Sequence, residues 1–497
     1  MTNTLYNALF APHAQNDALF LELDDGTSWT YAQFVARAAQ MAHVLADVGV
    51  TPGDRVVVQA PKSADALALY AGAVQAGAVY LPLNTAYTQS EVGYFVGDAD
   101  PALIVCDPAS LPQMTALTGT SGIPVLTLAA DQTGTLSRAA DTFATTFETA
   151  ARSADDLAAL LYTSGTTGRS KGAMMSHRNL LSNARTLTDL WQITARDRLI
   201  HALPIFHTHG LFVAMNTSFL AGASVRLMAG FDLDDILDAL PRGTLLMGVP
   251  TFYTRLLADL RLTPDLAENM RLFISGSAPL LAETHSDFVA RTGHRILERY
   301  GMTETNMITS NPYKGPRVAG TVGYPLPGVE VRLMADGAPV APGEIGMIEV
   351  RGDNVFQGYW NMPDKTAEEM TEDGFFITGD LGVATSDGRI SIVGRQKDLI
   401  ISGGFNIYPK EVEDVINAVD GVLESAVIGV PDADFGEIVV AVVVLDDSAL
   451  TPNDLSAAVA PHLARFKHPR RFEVVQALPR NTMGKVQKNA LRDRFDG

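Results

Sequence analysis

Glycines, hydroxyl side chains and two cations are gathered in one stretch, Tyr162 to Gly172, which reads YTSGTTGRSKG. Glycines let a backbone approach an anion closely, while Ser and Thr hydroxyls and backbone N–H groups donate to it. Arg169 and Lys171 add positive charge. This is phosphate-binding chemistry, although not a Walker A sequence, because the second glycine is missing where that spacing requires it. The apolar run ending at Leu161 predicts a buried strand before the loop. SHRNLLSNARTLTDLW after it has the apolar spacing of a helix opening at Ser176. Strand, loop and helix in that order would form a phosphate cradle; the plain alternative is a flexible Gly/Ser/Thr linker.

Four further stretches carry reactive groups. His201 to Phe212 reads HALPIFHTHGLF. His207 and His209 could share a zinc, but no acidic or Cys ligand is near, and an i, i+2 pair suits a strand face; buried histidines satisfied by hydrogen bonds are the simpler alternative. Ser275 to Leu280, SGSAPL, follows a strand-like run, and its small residues would let a flat base pack on the backbone. In ERYGMTETNM, Tyr300 offers an aromatic face, Gly301 a tight turn, Thr303 a hydroxyl and Glu304 a hard oxygen ligand for Mg²⁺. The alternative is an ordinary turn with a surface Glu. LPRNTMGKVQK, Leu478 to Lys488, places several basic residues near the C-terminus, where a solvated face is the default reading.

At 497 residues the chain is too long for one ordinary core, and a hydrophobic content of 47% fits a well-buried globular protein. No apolar stretch is long enough to span a membrane, and MTNTLYNALFAPHAQND does not read as a secretory signal. The single cysteine, Cys106, excludes an internal disulfide and a Cys-based zinc cluster, and predicts a cytoplasmic setting. A net charge of −19 argues against nucleic acid as a partner. A local basic site can still bind small anions.

The first third alternates helices (31–48, 62–75, 88–96) with strands (55–59, 79–82, 102–106), and 117–151 reads as an irregular connection. A second alternating unit has strands at 198–203, 224–228, 244–247 and 271–274. Such βα alternation implies mostly parallel sheets covered by helices. From about Gly320 short β runs are separated by Gly and Pro turns, as in a small barrel or distorted sheet. The boundary to a final mixed segment falls at GRQKD, Gly394 to Asp398.

YTSGTTGRSKG, HALPIFHTHGLF, YGMTE, TGD, GRQKD and MGK, in this order over most of the chain, resemble the adenylate-forming superfamily: acyl-CoA synthetases, adenylation domains of peptide synthetases and beetle luciferases. The resemblance implies an α/β fold: a large N-terminal domain (1–394) of two βαβ subdomains plus a β subdomain, and a small mobile C-terminal α+β domain (395–497). It implies an acid–thiol ligase that uses ATP, Mg²⁺ and coenzyme A through an acyl-AMP. Thr163, Ser164, Gly165, Thr166, Thr167, Gly168 and Lys171 would hold phosphates. Gly276, Ser277 and Ala278 would flank the adenine, with Glu298, Gly301 and Met302 beside it and Tyr300 stacked on it. Thr303 would contact the α-phosphate and Glu304 the metal. Asp380 and Arg395 would bind the ribose. Lys485 would reach the carboxylate and α-phosphate, His207 would lie over the acyl carboxylate, Gly403, Gly404 and Phe405 would line the CoA tunnel, and Lys397 would be the hinge.

Within the superfamily the chain is most like malonyl-CoA synthetases. Arg299 can bind the second carboxylate of malonate by charge-assisted hydrogen bonds, with Thr208, Ser277 and Met307 around it; alternatively it pairs with Glu298. The expected partners are malonate, ATP and CoA, with no nucleic acid and no membrane. Methylmalonate, another short acid, or a carrier protein loaded by a stand-alone adenylation module are the alternatives.

Overall fold

The computed structural model describes residues 2–119, 121–163, 170–432, 434–446, 450–481 and 484–495. Apolar β-branched runs such as RVVVQ (Arg55–Gln59) and LIVC (Leu103–Cys106) are buried on both faces and form the centre of a first sheet. Its strand order is Val125–Thr127, Leu103–Cys106, Arg55–Gln59, Val79–Pro82, Leu157–Thr163 and Lys171–Ser176, parallel except for the last pair. The irregular connection expected over 117–151 therefore contributes a strand, and also a short helix, Thr135–Ala140.

The second sheet has nine strands. Six run parallel, in the order Leu297–Met302, Leu272–Ser275, Leu245–Gly248, Arg198–His201, Ser224–Leu227 and Leu19–Glu22. Asn306–Ser310 and Tyr324–Pro325 extend one edge antiparallel, and Ser28–Thr30 the other. One hydrophobic core joins both sheets, from Leu5 through Phe219 to Phe376.

An antiparallel sheet follows: Ala338–Pro339, Val329–Ala335, Ile345–Gly352, Phe376–Ala384 and Ile390–Arg395. Beyond Arg395 a fourth sheet is built from Ile400–Ser402, Phe405–Ile407, Val422–Asp432, Gly436–Leu445 and Arg471–Val475. It has apolar clusters of its own, one around Val412, Ile416 and Leu455, the other around Ile428, Val442 and Leu491. A segment with its own core can move as a body. The fold is thus α/β, with a large N-terminal domain and a smaller C-terminal one.

Several local expectations are corrected. The glycine-rich loop joins the two strands of a hairpin, Leu157–Thr163 and Lys171–Ser176, and not a strand to a helix. KGAMMS packs as a strand, and the helix His177–Leu190 starts only after it, capped by Ser176 as its composition predicts. Thr378 to Asp380 lies inside strand Phe376–Ala384, with Gly379 at φ +73°. Gly301 also lies in a strand, where a Cβ would meet the carbonyl oxygen of Asn306 at 2.0 Å, so close backbone approach, not a turn, requires glycine. His207 and His209 are not on a strand; His209 opens a π-helix, His209–Met215, a geometry frequent at functional sites.

Candidate active site

Loops after the carboxyl ends of the second sheet's parallel strands converge on one cleft, the place where such sheets bind ligands. His207 and Thr208 follow strand Arg198–His201, Gly276 to Ala278 follow Leu272–Ser275, and Glu304 sits at the turn between Leu297–Met302 and Asn306–Ser310.

Side chains alternate across a strand, so Arg299 points away from its neighbours Glu298 and Tyr300. Glu298 approaches His285 instead, at 3.6 Å, and burial raises its pKa. Arg299 is 4% exposed, and its Nε and Nη2 have no hydrogen-bond partner. No carboxylate lies within ion-pair distance of it among the described residues, so the expected alternative of an Arg299–Glu298 pair does not hold. Its guanidinium lies over Gly276, where a Cβ would stand 2.3 Å away. Burial lowers its pKa, to about 9, which leaves it charged at neutral pH. Thr208 Oγ1 and His209 Nε2 are also buried without partners. Ser277, at φ +70°, has its hydroxyl 3.2 Å from His209 Nδ1. Burial, Lys485 and Arg299 together hold His207 down to about 4, so it is a neutral imidazole. Among the described residues no group of three His, Cys, Asp or Glu side chains gathers as a metal site would require. Met307 is buried on the strand opposite Gly301.

On the other side of the cleft the Tyr300 hydroxyl donates to Asp380 Oδ2 at 2.6 Å, and Arg395 Nε lies 2.9 Å from Asp380 Oδ1. Asp380 and Arg395 face each other in register. Glu304 is buried, and burial raises its pKa. The Tyr359 hydroxyl lies 3.1 Å from Glu304 Oε1 and 2.6 Å from Glu369 Oε2. Lys171 is paired with Glu369 at 3.0 Å and stands over the Tyr359 ring at 4.0 Å. Its ammonium thus already has a carboxylate partner. Tyr359 and Glu369 escaped the sequence reading: nothing in GYWNMPDKTAEEM marks them as neighbours of a residue nearly two hundred positions earlier. Met302 and Thr303 are partly buried beside Glu304, and Thr163 closes the first strand of the loop hairpin. Ser164, Gly165, Thr166, Thr167, Gly168 and Arg169 lie outside the described residues.

Lys485 comes from the C-terminal domain. Its neighbour Gly484 seats against Thr251, where a Cβ would stand 3.3 Å from the Thr251 hydroxyl. Protein surrounds the ammonium without covering it: Lys485 is exposed, yet burial and then Arg395 lower its pKa, with Asp380 and Glu304 opposing. Lys397 is exposed in the short turn Gln396–Asp398, between the third and fourth sheets. Gly403, Gly404 and Phe405 form an exposed hairpin of the C-terminal domain, where Phe405 stacks on Phe466 at 4.6 Å, and they are not brought to the cleft in this arrangement.

The description of the AMP-binding enzyme family matches residues 10–360, and that of the AMP-binding enzyme C-terminal domain matches 411–485. The chain is 33% identical to a malonate–CoA ligase of Arabidopsis thaliana, covering 95% of this chain and 85% of the relative. It is 36% identical to a feruloyl-CoA synthase of an Amycolatopsis species, covering 95% and 94%. ATP-bound MatB from Rhodopseudomonas palustris is 55% identical and superposes with a TM-score of 0.98, covering 100% of this chain and 99% of that one. The apo structure of MatB gives 0.87 at the same identity and coverage. This chain therefore superposes more closely on the ATP-bound structure of that relative than on the apo one.

Proposed function

Because the chain belongs to the AMP-binding enzyme family and is an AMP-forming acyl-CoA ligase, we propose that it makes malonyl-CoA from malonate, ATP and CoA, releasing AMP and pyrophosphate. The observation that carries malonate is Arg299, a buried cation with two unpartnered nitrogens, whose charge reaches His207 and His209. An uncompensated buried charge is costly, and a carboxylate supplied by the substrate offsets it. The malonate–CoA ligase among its relatives supports the same reading.

A carboxylate oxygen of malonate attacks the α-phosphorus of ATP; the O–P bond forms and the bond to pyrophosphate breaks, leaving malonyl-AMP. The sulfur of CoA then attacks the acyl carbon, the C–O bond to AMP breaks and the thiol proton is released. Arg299 holds the spectator carboxylate, so the reacting one is oriented before bond formation. Lys485 and the glycine-rich loop neutralise charge that builds on the phosphoryl oxygens. Tyr300 stacks on the adenine beside Glu298, Gly276 to Ala278, Gly301 and Met302, while Asp380, fixed by Tyr300 and Arg395, keeps acceptor capacity for ribose hydroxyls. Glu304, a buried carboxylate with one oxygen on Tyr359, would hold a Mg²⁺ that accompanies the phosphates. That ion, when bound, supplies positive charge to the phosphates. The boundary we assign, 394/395, puts Lys485 and the Gly403–Phe405 hairpin on one moving body that presents them in turn. The buried Cys106 fits a reducing, cytoplasmic setting; among the described residues no helix is long and apolar enough to cross a membrane.

The test is CoA-dependent AMP release over a panel of carboxylic acids. Malonate should give the highest kcat/KM, and a higher value for ferulate or butyrate would overturn the assignment. Adenylation that proceeds without CoA turnover, but loads a carrier protein, would make it a stand-alone adenylation module.

The hinge gives a separate prediction. Proline fixes φ near −65°, and hinges absorb large φ/ψ changes. Lys397→Pro should retain malonate-dependent pyrophosphate exchange and slow transfer to CoA. An unchanged CoA step would place the hinge elsewhere.

A further inference from the structure

We propose that Lys62 and His201 are positioning residues, a clamp that sets the loop carrying His207, Thr208 and His209 against the acyl side of the cleft; the inference rests on the reading of that loop as lining the carboxylate site. Lys62 belongs to the first βα unit, directly before Ser63, the cap of helix Ala64–Ala76. Its ammonium is used in the second. Nζ lies 2.7 Å from His201 Nδ1, 2.8 Å from the His201 carbonyl oxygen and 2.9 Å from that of Leu203. On the far side of the ring, Nε2 lies 2.8 Å from the carbonyl oxygen of Gly210.

Carbonyl oxygens only accept, so Nε2 carries the imidazole proton and donates to Gly210, and Nδ1 presents its lone pair to Lys62. Three acceptors then surround Nζ, and only an ammonium has three protons to give them. Burial pulls the Lys62 pKa well below its usual value; Asp24, from beyond ion-pair distance, opposes that fall, and the three bonds favour the charged form. Among the described residues no carboxylate pairs with it. Burial, and after it the same ammonium, keep His201 neutral, its pKa lowered to about 3.

His201 is the last residue of strand Arg198–His201, and Gly210 is in the first turn of the π-helix His209–Met215. One imidazole therefore ties both ends of the intervening loop, and Lys62 ties that imidazole to the other subdomain. Gly210 is held so near Pro204 that a Cβ would stand 2.0 Å from the Pro204 oxygen. Behind the loop lies a cavity of about 110 Å³, lined by Lys62, Tyr80, Pro204, Ile205 and Phe206. The loop has room to shift on that side, and the hydrogen bonds of the clamp oppose such a shift together with the packing of Gly210 on Pro204. Loss of the clamp should misplace His207 and Thr208 relative to Arg299 while leaving Tyr300, Asp380 and Arg395 undisturbed.

The experiment compares Lys62→Met, His201→Leu and His201→Gln with wild type in malonate-dependent pyrophosphate exchange. Lys62→Met and His201→Leu should raise the KM for malonate about tenfold or more, since small misplacements carry penalties of up to about a hundredfold. The KM for ATP should stay within about twofold. His201→Gln, which keeps a donor for Gly210 and an acceptor for Lys62, should recover most of the loss. Equal rises in both KM values, or no rise for malonate, would overturn the clamp. If Lys62→Met does not fold, the two His201 variants decide. If wild type responds to another acid and not to malonate, the substrate assignment fails, and the clamp is tested with that acid.

Discussion

Arg299→Ala should lower kcat/KM for malonate by about two to four powers of ten while ATP binding is nearly unchanged. Removing one partner of a buried ion pair costs about 3–5 kcal/mol, and about 1.4 kcal/mol is a factor of ten. The same reasoning predicts that wild type rejects butyrate by a similar factor, because a monocarboxylate leaves the guanidinium unpaired, with Nε and Nη2 unsatisfied. On the proposed reading methylmalonate would add one methyl against Thr208 and Met307, a perturbation of about 1–3 kcal/mol, and should be a poorer but real substrate. Arg299→Met supplies a control on stability. In the free enzyme it exchanges an unpaired buried cation for an apolar side chain, so Tm should hold or rise. If butyrate matches malonate in wild type, or Arg299→Met lowers Tm and leaves the malonate-to-butyrate ratio unchanged, Arg299 is structural and malonate loses its physical basis.

Lys485→Ala should reduce malonyl-AMP formation by at least about 10²–10³, the loss typical of removing one preorganised charge from a developing oxyanion. Thioester formation from supplied malonyl-AMP should be largely spared. The motive is positional: Lys485 belongs to the C-terminal domain and lies within electrostatic reach of Arg395, Asp380 and Glu304, in a structure that superposes closely on an ATP-bound relative. Acetylation of Lys485 removes the same charge and should give the same split. The measurement is the two half-reactions run separately, and equal loss in both would refute the division of labour between domain poses. ATP binding by calorimetry should change far less than the rate.

The sequence by itself determined the class of chemistry and much of the local structure. Residue types at fixed spacing suggested the phosphate loop and YGMTE, while TGD and MGK were readable only through the family resemblance; local pattern located four parallel-sheet strands in each of the first two sheets and missed the edges. Ser176 as a helix cap was legible because capping is a local matter, settled within three residues. Tertiary structure decided whatever depended on neighbours distant in sequence. TGD and Gly301 have turn-like composition yet lie in strands, because pairing of Asp380 to Arg395 and of Gly301 to Met307 overrides the local preference. Strands Leu19–Glu22 and Ser28–Thr30 join the second sheet, beyond the reach of any window around them. Glu298 and Arg299 are adjacent along the chain and read as a candidate pair. The pleat sends them to opposite faces, and that geometry, not either residue's identity, leaves Arg299 a buried cation awaiting an anion.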